Sequence, residues 1–241
     1  MIERAADAAI RPQNEFAGVH MSYFITGTDT GVGKTLVSCA LLKGLALQGK
    51  SVAGFKPVAA GCDPDGRNDD AKALLAAGTV PLSYEQVNPY CLQEAIAPHI
   101  AAHNEGVTIE MSRIVTAYRE ITAQAEVVIV EGAGGFIVPL NDTQTSADLA
   151  KELNLSAVVI VAMRLGCLNH ALLTVRALDD YGLKCAGWVA NVVGDEMSAL
   201  QQNIAALRER IAAPLLGVVP YMAEVDAEAV VEYLDLGVLG D

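Results

Sequence analysis

From residue 23 onward, short apolar runs alternate with longer segments whose apolar positions recur every three or four residues. Residues 23–26, 52–55, 127–130, 158–162, 185–190 and 216–219 are too short and too evenly apolar for surface helices, and read as strands buried on both faces. Between them the helical period predicts helices over residues 34–48, 69–77, 110–124, 146–153, 169–181, 197–211 and 227–234. Gly49, Gly78 and Gly182 stand where C-terminal caps belong. Strand and helix in regular alternation define an α/β chain with a doubly wound, mainly parallel sheet and helices on both faces. Folds of that class bind ligands beyond the carboxyl ends of the strands. Residues 80–107 break the rhythm with Pro81, Pro89, Pro98 and Gly106, and are expected to form an irregular insertion packed on the main domain.

Composition adds scale. With 241 residues, 52% of them hydrophobic, the chain suits one domain over residues 21–241. Residues 1–20 carry Glu3, Asp7 and Glu15 and lack a basic segment followed by an apolar one, so they read as an extension outside the fold rather than a signal peptide. A net charge of -13 would repel a phosphate backbone, which argues against nucleic acid as a partner. Apolar runs such as residues 157–163 fall far short of the roughly 20 residues of a membrane span. A soluble cytoplasmic protein acting on small molecules is expected. The five cysteines are scattered with no C-x-x-C pair, which favours reduced thiols over a disulfide framework or metal cluster.

Chemistry enters at Gly27-Thr28-Asp29-Thr30-Gly31-Val32-Gly33-Lys34-Thr35, between the first strand and the first helix. Glycines there let backbone N–H groups wrap a phosphate and the helix N-terminus adds a favourable dipole. Lys34 can reach β and γ oxygens, and Thr35 offers a hydroxyl to Mg²⁺. Five residues separate Gly27 from Gly33, one more than in the common phosphate loop. Glu131 ends the third strand ahead of Gly132-Ala133-Gly134-Gly135, where a carboxylate assists Mg²⁺ in phosphate-loop proteins. Lys56 follows the second strand and would bring a second ammonium into the same crevice. Of Asn68, Asp69 and Asp70 only one is needed to cap the helix that follows, leaving another for the metal.

These segments, with Lys56-Pro57-Val58, Arg67-Asn68-Asp69-Asp70, Leu165-Gly166-Cys167-Leu168-Asn169-His170 and Gly187-Trp188-Val189-Ala190-Asn191, resemble the dethiobiotin synthetase family in order and from Met21 nearly to the end. The longer phosphate loop is itself a feature of that family. The resemblance implies an ATP- and Mg²⁺-dependent homodimeric enzyme that closes a ureido ring on 7,8-diaminopelargonic acid with CO2, through a carbamate and a carbamic-phosphoric anhydride. It implies that Gly31, Val32, Gly33, Lys34, Thr35 and Leu36 hold the phosphates, with Gly132, Ala133 and Gly134 beside the nucleotide. Thr35, Asp70 and Glu131 would serve the metal, and Lys56 would be catalytic together with Lys34. Asn191 would read adenine by donating and accepting, with Val192, Pro220, Tyr221 and Met222 around the base. Thr30, Ala60 and the turn Gly166, Cys167, Leu168 and Asn169 would meet the substrate, the turn holding its carboxylate across the dimer. Gly31 stands where some members carry Glu, and Ala60 where others carry Ser or Thr; neither change touches phosphate or metal chemistry.

Other features yield less. His99 and His103 have the i, i+4 spacing of a zinc pair, but no Glu follows His99 and no third ligand is evident. His20 and His170 have no nucleophile partner. The positions Leu36, Cys39, Ala40, Lys43 and Ala46 make a core-facing helical stripe. Two rival classes are weaker. A related amide-forming synthetase would carry a glutaminase domain for which there is no room. A membrane-positioning regulatory ATPase would show an extra lysine early in the loop and a basic C-terminus, whereas residues 226–241 are acidic.

Overall fold

The computed structural model describes residues 21–194, 197–224 and 226–239; the expected extension at residues 1–20 lies outside them. The chain runs β1 (Met21–Gly27), α1 (Lys34–Leu47), β2 (Val52–Phe55), β3 (Val58–Ala60), α2 (Asp69–Ala77), α3 (Tyr84–Val87), β4 (Tyr90–Leu92), α4 (Pro98–Asn104) and α5 (Met111–Thr122). It continues through β5 (Val127–Glu131), α6 (Ser146–Glu152), β6 (Ser156–Ala162), α7 (Cys167–Tyr181), β7 (Cys185–Asn191), α8 (Leu200–Arg208), β8 (Leu215–Val219) and α9 (Ala227–Val231).

Six strands form one parallel sheet in the order β2-β5-β1-β6-β7-β8. Alternate residues serve opposite faces. Phe24, Val128, Val130, Val159 and Val161 pack with Ile114, Tyr118 and Ile121 of α5, Leu178 of α7 and Leu207 of α8. Ile25, Ile129, Val158 and Ile160 pack with Val37, Leu41 and Leu45 of α1, Leu74 of α2 and Val230 of α9. Because both faces are covered, the strands read as unbroken apolar runs, and burying each such side chain contributes roughly 1.5–3 kcal/mol. The sheet is the expected doubly wound one.

Three expectations need correction. The region 80–107 is not wholly irregular: it holds α3, β4 and α4, and β4 pairs in parallel with β3 from Val58↔Tyr90 to Ala60↔Leu92. Both strands have three residues, too few for a period to register. That pairing also overturns the expectation of free thiols, because it brings Cys62 and Cys91 together in a disulfide with Cα atoms 6.1 Å apart. Cys39, Cys167 and Cys185 remain free. Burial pushes the Cys39 thiol up to about 12 and the Cys185 thiol up to about 11, so neither is a thiolate near neutral pH. Finally, the core side of α1 is broader than the expected stripe: Val37, Leu41, Leu42 and Leu45 are buried, whereas Lys43 pairs with Glu228 at 2.7 Å. The helix lies between the sheet and α9 and is covered on two sides. His99 and His103 both lie on α4, and no group of three or more metal-ligating His, Cys, Asp or Glu occurs among the described residues.

Candidate active site

The loop between β1 and α1 is shaped by its glycines. A Cβ on Gly27 would come within 2.5 Å of Val32 Cγ2, so only glycine allows the chain to fold back on itself there. Gly33, the residue before α1, adopts φ 90, and a Cβ on it would stand 2.2 Å from Asn191 Nδ2. Asn191, at the end of β7, donates Nδ2 to the Val32 carbonyl at 2.8 Å and pins the loop from below. Lys34 is buried and donates Nζ to the Asp29 carbonyl at 3.0 Å. Burial, aided by repulsion from Lys56, lowers its pKa to about 8.

Sheet register then assembles the rest. Glu131 lies beside Ile25 on β1, and Phe55 beside Val130, so Lys56 emerges next to Glu131. Its Nζ donates to Glu131 Oε1 at 2.6 Å, to Asp70 Oδ2 at 3.0 Å and to the Gly132 carbonyl at 3.3 Å. Thr35 Oγ1 donates to the same two carboxylates, at 2.8 Å to Asp70 and 3.0 Å to Glu131. Asn68, not an aspartate, caps α2: its Oδ1 accepts from the Asp70 and Ala71 amides, which leaves the Asp70 carboxylate free for the cluster. Burial pushes the Lys56 pKa down, but Glu131 and Asp70 outweigh it and hold the pKa above the ordinary lysine value. Burial likewise opposes ionisation of Asp70, and the Lys56 charge and Thr35 hydroxyl overcome it, so its pKa is lowered. Glu131 is fully buried and its Oε2 has no hydrogen-bond partner among the described residues. A hydroxyl and two carboxylates with an unused oxygen form a hard donor set of the kind that suits Mg²⁺.

A cavity of about 770 Å³ opens above this cluster. Of the expected residues it is lined by Thr30, Gly31, Gly33, Lys34, Thr35, Lys56, Ala60, Asp70, Ala133 and Gly134. The sequence of one family profile, described as an AAA domain, matches residues 21–229. ATP-dependent dethiobiotin synthetase BioD of Cellvibrio japonicus is 52% identical over 223 residues, 91% of this chain and 98% of that protein. The synthetase of the same name from Nitrosospira multiformis is 48% identical over 92% of this chain and 98% of its own length. The chain belongs to the dethiobiotin synthetase family. Among solved structures, the MinC:MinD cell division complex of Aquifex aeolicus aligns with a TM-score of 0.51 at 15% identity, covering 84% of this chain and 82% of that one. A ParA family ATPase from Chlorobium tepidum gives 0.51 at 12% identity, covering 85% of each. These two share the fold alone, a mainly parallel sheet with helices around it.

Not every residue singled out for this synthetase family meets the cavity. Val32 is in the core, Leu36 is partly buried, and Glu131 and Gly132 lie beneath Lys56. Asn191 sits behind the loop, with Val192 just beyond it, and Pro220, Tyr221 and Met222 follow the end of β8. Gly166, Cys167, Leu168 and Asn169 start α7 outside the cavity, and Cys167 is itself buried. That turn is tied to the phosphate loop by Arg164, whose guanidinium contacts Asp29 Oδ2 at 2.5 Å. Sequence reasoning passed over the cavity's other wall, Ala95, Ile96, Ala97, Pro98 and Val138, because apolar residues in a proline-rich stretch carry no chemical signature.

Proposed function

We propose that this chain catalyses the ATP- and Mg²⁺-dependent closure of a ureido ring from CO2 and 7,8-diaminopelargonic acid, giving dethiobiotin, ADP and phosphate. The observation that carries this reading is the convergence of Lys34, Lys56, Thr35, Asp70 and Glu131 on one crevice at the carboxyl end of β1, β2 and β5. Among the described residues no Ser, Cys or His lines the cavity, which suits a reaction between substrates that the protein positions and neutralises. One amine of the diamine takes up CO2 and loses a proton to form a carbamate. A carbamate oxygen attacks the γ-phosphorus and ADP leaves. The second amine then attacks the carbonyl carbon of the carbamic-phosphoric anhydride, and phosphate departs as the ring closes. Lys34, swinging from the Asp29 carbonyl, would bind β and γ oxygens. Lys56, held charged, would bridge the carbamate and the transferred phosphoryl group. Thr35, Asp70 and Glu131 would hold Mg²⁺, which supplies positive charge against the phosphate oxygens.

At the base, Asn191 gives one amide N–H to the Val32 carbonyl, so its second N–H and its oxygen would be the groups that donate to and accept from adenine. The α7 start would hold the substrate carboxylate in a homodimer. Leu165 and Leu173, 99% and 60% exposed on and beside that turn, fit a covered face. The reading is tested by ADP release: it should require the diamine and bicarbonate together. ADP formed at the same rate without the diamine would contradict it.

A further inference from the structure

Behind Lys56 and Asp70 lies a buried polar bracket built from Tyr84, Asn88 and Asn68, of which Asn68 also lines the cavity. The Tyr84 hydroxyl, at the start of α3, accepts from the backbone N–H of Asn68 at 2.8 Å and donates to Asn88 Oδ1 at 2.9 Å. Asn88 Nδ2 donates to the carbonyl of Lys56 at 2.6 Å and to that of Tyr90 at 3.0 Å, and the Lys56 N–H donates to the Val87 carbonyl at 2.8 Å. Asn68 in turn starts the helix that carries Asp70. One phenolic oxygen therefore joins the backbone of Lys56 to the first turn of α2. Asn68 Nδ2 adds longer bonds to the Ala60 and Gly61 carbonyls at the end of β3, at 3.4 and 3.2 Å.

We infer that the Tyr84 hydroxyl is a positioning group that sets the separation of Lys56 and Asp70. The inference rests on the roles proposed above for those two residues. The side chains meet at 3.0 Å in front, but that contact must open when a metal or phosphate takes up either group, and the bracket behind then holds their backbones in register. The bracket is buried and fully hydrogen-bonded, so it is stiff, and losing one member strands the others without water. Burial raises the Tyr84 pKa, so the phenol stays protonated and able to donate. Its ring has separate work: Arg67 stacks on it at 5.2 Å, and phenylalanine would keep that contact. A misplacement near 1 Å costs on the order of 10²-fold in rate when it falls on a group that must meet a transition state.

The test is Tyr84→Phe, which deletes the hydroxyl and keeps the ring. Turnover should fall on the order of 10- to 100-fold, and the Mg²⁺ concentration for half-maximal rate should rise. In an Asp70→Asn background the Mg²⁺ shift caused by Tyr84→Phe should vanish, because the hydroxyl acts on the metal through Asp70. An equal shift in both backgrounds, or unchanged kinetics with only a lower melting temperature, would overturn the inference and leave the site reading intact. An Asp70→Asn protein with a normal Mg²⁺ titration would instead overturn the site reading and the inference with it. Asn88→Ala cuts the bracket at its Lys56 end and serves if Tyr84→Phe does not fold. It should lower turnover with the Mg²⁺ requirement unmoved, and unchanged turnover would overturn the inference.

Discussion

Lys56 is the residue on which the chemistry depends most. It is buried against a fully buried carboxylate, and such a pair contributes little net stability, yet removing one partner costs about 3–5 kcal/mol because the other charge is stranded. Lys56→Gln should therefore lower the melting temperature and collapse turnover while calorimetric ATP binding largely survives, since Lys34 and the loop amides still hold the phosphates. Lost ATP binding with turnover intact would assign it another role. Lys34 differs in being close to titration: with a pKa near 8, it is largely neutral at pH 9 in the free protein. Phosphate binding favours the charged form, so at pH 9 ATP binding should take up a proton, and affinity should weaken as pH rises through 8. Calorimetry in buffers of different ionisation enthalpy reads that uptake. Lys34→Arg, charged throughout, should abolish it; identical uptake in both proteins would place the proton elsewhere.

At the scale of elements, the phosphate loop shows how tightly backbone and site are joined. Gly33→Ala would force a Cβ into a left-handed residue at about 1–3 kcal/mol and against Asn191 Nδ2, breaking the bond to Val32. ATP affinity should fall more than tenfold with the fold retained by circular dichroism; near-normal affinity would mean the loop is softer than its contacts imply. The six sheet strands were legible in the sequence because each is a short, evenly apolar run, most of them buried on both faces. Lys34, Thr35 and Glu131 were legible because the loop and strand end fix their places. Asp70 needed the observation that one cap suffices, and Asn68 proved to be that cap. What the sequence did not yield depends on pairing at a distance: β3 with β4, and the Tyr84 bracket, whose members look like ordinary loop residues until the fold brings them together.

Across the molecule, the disulfide between Cys62 and Cys91 is the clearest departure from what composition suggested. Denatured without reductant, the protein should expose three reactive thiols, those of Cys39, Cys167 and Cys185. Five would show that the β3–β4 pairing sets the cysteines side by side without joining them. The sheet gathers its chemistry at one end, where β1, β2 and β5 deliver Lys34, Lys56 and Glu131, while the opposite face of α1 is sealed by α9. We propose that ureido ring closure takes place at this end. It is tested most directly by incubating the protein with ATP, Mg²⁺, the diamine and ¹³C-bicarbonate, and examining the product by mass spectrometry. Dethiobiotin carrying the label should form, with ADP and phosphate in equal amounts. ATP hydrolysis with the diamine recovered unchanged would contradict it.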